Sequence, residues 1–155
     1  MGVKLPGILP VKTISWEDLR GKKIAIDASN MLYQFLSSVR QRDGTPLMDS
    51  DGNVTSHLSG TFYRISNLMQ KGIFPCVCFD GKPPSLKYET QRKRRERKEK
   101  AYEKYEIAKE EDDKESMGKY SKQVTYLNND MVKETKELLK GMGIPVIQAP
   151  QECDA

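Results

Sequence analysis

Three short apolar runs punctuate the chain, separated by longer stretches of helical periodicity. KKIAID (22–27), IFPCVCFD (73–80) and IPVIQ (144–148) are bounded by turn-forming residues and read as buried strands. The first two end on an acid. After the first, Met31, Leu32, Phe35, Leu36 and Val39 recur at helical spacing, with Ser29 or Asn30 as the expected cap. Leu58, Phe62, Ile65 and Leu68–Met69 mark a second amphipathic helix over 55–71. Val124, Leu127, Met131, Thr135, Leu138 and Leu139 mark another over 120–140, ended by Gly141 and Gly143.

The connections are as informative as the runs. Residues 43–53, DGTPLMDSDGN, are dense in Gly, Pro, Asp and Asn and read as turns. They do not form a calcium loop. Counted from Asp49, Val54 stands where that loop needs glycine and Gly60 where it needs glutamate. GKPPS, after the second strand, reads as a rigid turn. Residues 87–110 contain no Gly or Pro and are rich in Glu, Lys, Arg and Ala, a helix-favouring composition. Their apolar residues (Tyr88, Ala101, Tyr102, Tyr105, Ile107, Ala108) are too sparse for a core face, so this helix should stand away from the body. EDDKESMGKYS is a polar break around Gly118. Strand, helix pair, strand, helices, strand is the order of an α/β fold with a parallel sheet flanked by helices.

Charge changes this picture in one place. The 155 residues carry 26 Lys plus Arg against 22 Asp plus Glu, a net of +4. RKRRERKEK (92–100) alone carries +5, leaving −1 for the other 146 residues. The run reads equally as a solvated, mixed-charge helix face or as a phosphate-binding patch, since clustered cations release counterions from nucleic acid. No apolar run approaches the ~18 residues of a membrane span. The N-terminus has no apolar signal-peptide core, and Pro6 breaks the myristoylation pattern. Three cysteines are too few for a disulfide framework, so a reducing, cytoplasmic location without membrane partners is expected.

The candidate chemistry lies in the acids. In open α/β sheets ligands bind beyond the carboxyl ends of the strands. Asp27 ends the first strand and Asp80 the second, while Glu152 and Asp154 follow the third. If the three strands are neighbours, four carboxylates converge on one edge. Their mutual repulsion would be relieved by hard divalent cations, Mg²⁺ or Mn²⁺. Two such ions about 4 Å apart serve in-line attack on a phosphodiester. Each acid also has a plainer reading: Asp27 as a helix cap, Asp80 as a turn residue, Glu152 and Asp154 as favourable charges at a helix start. A phosphotransferase reading has little support. There is no GxxxxGK[ST] loop, and Asp27 is followed by Ala28 and Ser29 rather than a D-x-D pattern.

Five segments together resemble the flap endonuclease family of structure-specific 5′ nucleases, above all its archaeal members. They are the initial MGV, KKIAIDASNMLYQFL, VRQRDGTPLMDSDGNVTSHLSGTFYR, GIFPCVCFDGKPP and MGIPVIQAPQECDA, in family order and spacing. The resemblance implies a parallel sheet crossed by a protruding basic helical arch and cap, here 87–122, through which a single-stranded flap passes. It implies cleavage of DNA at 5′ flaps, in replication and repair, with two divalent metals held by Asp27, Asp80, Glu152 and Asp154. Lys87 and Arg94 match the basic pair that contacts the scissile phosphate. Tyr33 matches a residue stacking on a nucleotide near the cut. Gly2 matches a small residue packed beside the active site, and Arg40 a residue near the duplex. Arg95, Arg97 and Lys98 belong to the same basic arch. Tyr102 and Tyr105 would pack between arch helices or stack on flap bases.

The family's AP-x-E-x-E-A stretch reads here with Cys153 and Asp154, one methylene shorter at the fourth ligand. The resemblance further implies that these 155 residues are an N-terminal nuclease region. Further aspartates, the rest of the sheet, a duplex-binding module and a sliding-clamp peptide would belong to a C-terminal part. An exposed sheet edge and apolar faces awaiting that part are therefore expected. Of the remaining residues, His57 reads as a hydrogen-bonding group at a helix start rather than a base. Cys76 and Cys78 read as buried thiols on one strand face, and Trp16 as packing the N-terminal segment onto the body.

Overall fold

A computed structural model describes residues 12–41, 44–82, 88–110 and 127–151. After a short 3₁₀ turn (Glu17–Leu19), the elements are β1 (Lys23–Asp27), α1 (Ala28–Ser38), α2 (Ser56–Gln70), β2 (Phe74–Phe79), α3 (Tyr88–Glu110), α4 (Asn129–Gly141) and β3 (Val146–Gln148). The three strands form a parallel sheet in the order β1-β2-β3, with β2 in the centre.

One face of this sheet is closed. Val77 and Phe79 of β2 meet Ala28, Met31, Leu32 and Phe35 of α1, Ile65 of α2, Leu139 of α4 and Ile144 in one buried cluster. Two helices approach closely where α2 presents Gly60: a Cβ there would lie 2.7 Å from Phe35 Cβ. Small size at that position sets the α1–α2 spacing. The buried stripe of α2 runs through His57, Thr61, Ile65 and Leu68, at helical steps. Phe62 and Met69, expected on the core side, are each 46 % exposed. Phe62 follows Thr61 by one residue and so faces about 100° away from the stripe, where it pairs edge-to-face with Tyr63.

The other face is not covered by any described helix. Alternation puts Lys23, Ala25 and Asp27 of β1 beside Phe74, Cys76 and Cys78 of β2, and Cys78 beside Ile147 of β3. Both thiols are half-buried rather than buried, because no described helix covers this side. At the amino end of the sheet, Met69, Phe74, Pro75, Ile144 and Pro145 border a largely apolar cavity of about 460 Å³.

Several local features differ from expectation. The cap of α1 is Asp27 itself, which accepts from Asn30 N at 3.0 Å, so the helix begins one residue earlier than Ser29. β3 is shorter than the apolar run, because Ile144 turns into the core and Pro145 O already accepts from Val77 N. Residues 44–54 form two tight turns with isolated bridges at Arg40–Pro46 and Met48–Val54. Asp49 organises the second by accepting from Asp51 N, Asn53 N and Asn53 Nδ2, and these bonds hold its carboxyl below the usual range. Trp16 is half exposed, with Lys71 Nζ 4.0 Å above its ring. No described element packs against α3. Its described side chains are mostly exposed, with Ala101 an exception, and it carries the pairs Glu89–Lys93 and Arg92–Glu96. Residues 111–122 of the expected arch lie outside the described residues.

Candidate functional site

The site is built where β1 and β2 end. In the parallel register Asp27 is paired with Cys78, so Asp80 lies two residues beyond on the same side of the pleat. The strand order supplies the neighbourhood that the convergence of acids requires. Asp27 is exposed in extended backbone, and its Oδ1 caps α1. Capping engages one oxygen, so the plain and the functional readings of Asp27 are compatible. Asp80 is half-buried just past β2.

The chain leaving β3 is laid against the Asp80 loop. Ala149 N extends the ladder by donating to Phe79 O at 2.9 Å, and Gly81 N donates to Gln151 O. A Cβ at Gly81 would fall on Ala149 O and 2.6 Å from Pro150 O, so only glycine permits this approach. Gln148 adds a side-chain clamp to the same place, described below. Residues 149–151 thus run beside the Asp80 loop, and Glu152, Cys153 and Asp154 follow outside the described residues.

Among the polar neighbours of Asp27, the sequence offers Asn30 only as a cap and does not single out Gln34 or Arg64. A cavity of about 340 Å³ is lined by Asp27, Asn30, Gln34 and Arg64 together with Ile26, Met31 and Leu68. Asn30 and Gln34 are four residues apart on α1, a spacing that puts them on one face. Their polarity alone reads as a solvent side, and Arg64 comes from α2, so only the fold joins them. Tyr33 is exposed on α1. Arg40 is tied down: its Nε donates to Ser37 O at 3.2 Å and its Nη1 to Gly44 O at 2.8 Å, bracing the turn after α1.

Of the expected basic residues, Arg97 is exposed on α3. The side chains of Arg94, Arg95 and Lys98, and residues Gly2 and Lys87, lie outside the described residues. His57 is fully buried, and its Nε2 meets Glu134 Oε2 at 3.0 Å, bridging α2 to α4. Burial lowers its pKa against the opposing pull of Glu134. That makes it an interhelical tie.

The oxygen donors that Asp27 and Asp80 place at one edge of the sheet are of the kind a hard divalent cation takes. Among the described residues no group of three or more His, Cys, Asp or Glu is clustered closely enough to hold an ion. A complete set needs donors beyond the described residues, as Glu152 and Asp154 would be.

The model of the XPG N-terminal domain matches residues 1–101. The chain belongs to this family. Over all 155 residues it is 54 % identical to flap endonuclease 1 of Thermococcus onnurineus and 53 % identical to that of Pyrococcus furiosus, covering 46 % of each. Among solved structures, flap endonuclease-1 from Methanococcus jannaschii superposes with a TM-score of 0.66 at 48 % identity, over 97 % of this chain and 48 % of that one. The catalytic core of Rad2 in complex with DNA substrate gives 0.60 at 34 % identity, over 92 % of this chain and 34 % of that one. The chain thus spans about half the length of the flap endonuclease relatives it matches, and corresponds to their N-terminal part. The expected fold, a parallel sheet with helices, is that of these nucleases.

Proposed function

We propose that the chain is the N-terminal part of a structure-specific 5′ flap endonuclease, acting in DNA replication and repair. The observation that carries this reading is the placement of Asp27 and Asp80 at the carboxyl ends of adjacent parallel strands, with the chain toward Glu152 laid against Gly81. The family membership and the relatives' names give the same direction.

In this reading Asp27, Asp80, Glu152 and Asp154 hold two Mg²⁺ ions, with Mn²⁺ an alternative. Bound there, the ions supply Lewis acidity for hydrolysis of a phosphodiester. The chain's own residues bind and orient. Lys87 and Arg94 neutralise the scissile phosphate, and Tyr33 offers a face for stacking on a nucleotide. Arg40 borders the duplex, and Gly2 is the small residue beside the active site. Residues 87–122 form the arch, and Arg95, Arg97 and Lys98 draw a single strand toward the acids. The open sheet face is covered by a polypeptide corresponding to the half of the relatives that these residues do not span. That half also carries any sliding-clamp contact. The setting is the cytoplasm, beside the nucleoid.

The test is cleavage of a 5′-flap substrate in Mg²⁺, by the chain alone and mixed with that C-terminal half. The mixture should cut, and Asp80→Asn, which keeps shape but removes a ligand charge, should lower the rate by at least about 100-fold. Undiminished cleavage by Asp80→Asn removes the site assignment. The exposed cations of α3, Arg92, Lys93, Arg97 and Lys100, favour one second reading, a non-catalytic flap-binding piece. That reading predicts salt-sensitive binding of flap DNA and no cleavage in the mixture at any Mg²⁺ concentration.

A further inference from the structure

Gln148 stands where three backbone carbonyls come together. Its Nε2 donates to Asp80 O at 2.9 Å and lies 3.3 Å from both Phe79 O and Ala149 O. Its Oε1 accepts from Lys136 Nζ at 2.8 Å. Lys136 is itself placed, with its Nζ 4.8 Å from the centroid of the Phe79 ring. The register sets Gln148 beside Phe79, so the amide reaches past its partner to the residue that follows β2. An ammonium on the amide oxygen fixes the rotamer and strengthens the opposite N–H groups as donors. The carbonyls served belong to the two segments that carry the acids: Asp80 on one side, and the chain toward Glu152 and Asp154 on the other.

We infer that Gln148, steadied by Lys136, is a positioning residue that ties the Asp80 loop to the chain leading into Glu152 and thereby sets the spacing of the acids. The inference rests on the reading of those acids as metal ligands. Both ends of the Gln148 amide are taken up within the protein, by Lys136 Nζ and by backbone carbonyls, so Gln148 is assigned no ligand role. It acts on ligand-bearing backbone, the kind of outer contact whose loss costs about 10- to 100-fold in metal affinity. Gly81 N to Gln151 O is the neighbouring bond between the same two segments, and so reports whether they stay together.

The test uses the 155-residue chain with two substitutions of similar size. Gln148→Leu removes the amide, and Gln148→Glu keeps an acceptor for Lys136 but has no N–H for the carbonyls. Amide hydrogen exchange is followed at Gly81 and at Val77, whose N–H bonds Pro145 O within the sheet. Mn²⁺ affinity is read from the resonance of the free ion, with Asp80→Asn as control. Both substitutions should speed exchange at Gly81 about tenfold or more and weaken Mn²⁺ binding about 10- to 100-fold. Val77 exchange and the melting temperature should not change. Unchanged Gly81 exchange overturns the tie. Faster exchange at Val77 as well makes Gln148 a part of general sheet stability and overturns the positioning role. If Mn²⁺ binding is absent, or survives Asp80→Asn, the metal reading falls, while Gly81 exchange still decides the tie.

Discussion

The two faces of β2 are made from alternate residues of one hexapeptide and have opposite fates. Val77 and Phe79, at 0 and 4 % exposure, are sealed under α1, α2 and α4. Phe74, at 62 %, and Ile147, which pairs with Cys78 of β2, at 47 %, lie on a side that no described helix covers. Parallel strands are ordinarily buried on both faces. The difference therefore separates a layer that the described helices close from one that no described element covers. The acids sit at the carboxyl edge where both faces meet.

The first way to break the comparison is to cut into the sealed face. Leu139→Ala removes a fully buried side chain from the central cluster and should cost about 2–5 kcal/mol in denaturant unfolding. A smaller loss would mean that the covered face is loosely packed. Gly60→Ala comes next. Its added methyl has nowhere to go but into Phe35, so a destabilisation of about 1–3 kcal/mol is expected.

Acid should weaken the sealed face through His57. Its pKa is lowered from an ordinary value near 6.5 by burial, with Glu134 pulling the other way. A lowered folded pKa means that the unfolded chain takes up the proton first. Stability from neutral His57 is thus intact above about pH 6.5 and falls as pH drops below it. Its Nδ1 has no partner among the described residues, so protonation there would bury a donor without an acceptor. His57→Gln cannot titrate. Melting curves from pH 7.5 to 5 should show a steeper decline for the unchanged chain than for His57→Gln, and parallel curves would contradict this assignment.

The smallest effect is expected on the open face. Phe74→Ser and Ile147→Thr should each move stability by no more than about 0.5 kcal/mol, since little burial is lost. A loss comparable to Leu139→Ala would show that this face is already packed in the isolated chain.

Much of this was legible in the residues, for reasons that also explain the failures. Strands β1 and β2 announced themselves as apolar runs ending on acids, and α1 by strict helical spacing. Asp27 serves as both strand end and helix cap, as one of its plain readings has it, while Ser29 and Asn30, the other cap candidates, lie inside α1. Phe62 and Met69 fit a helical stripe on paper. The real stripe keeps Ile65 and Leu68 but begins one residue over, because His57 and Thr61, polar but buried, take the core positions of Leu58 and Phe62. That Cys76 and Cys78 share a face follows from alternation; which face is covered depends on helices far away in sequence. Asn30, Gln34, Arg64 and Gln148 could not be found from spacing, because each gains meaning from a neighbour supplied by another element.

The most direct test of the account is whether the open face is covered by the polypeptide corresponding to the unspanned half of the Methanococcus jannaschii relative. The chain carrying Cys153→Ser has thiols only at Cys76 and Cys78, both on that face. Their rate of labelling by a soluble maleimide is measured with and without that half, alongside the mass of the mixture by light scattering. A one-to-one complex with both thiols slowed by at least about tenfold is the predicted result. Unchanged labelling, with the two polypeptides remaining separate, would contradict the account.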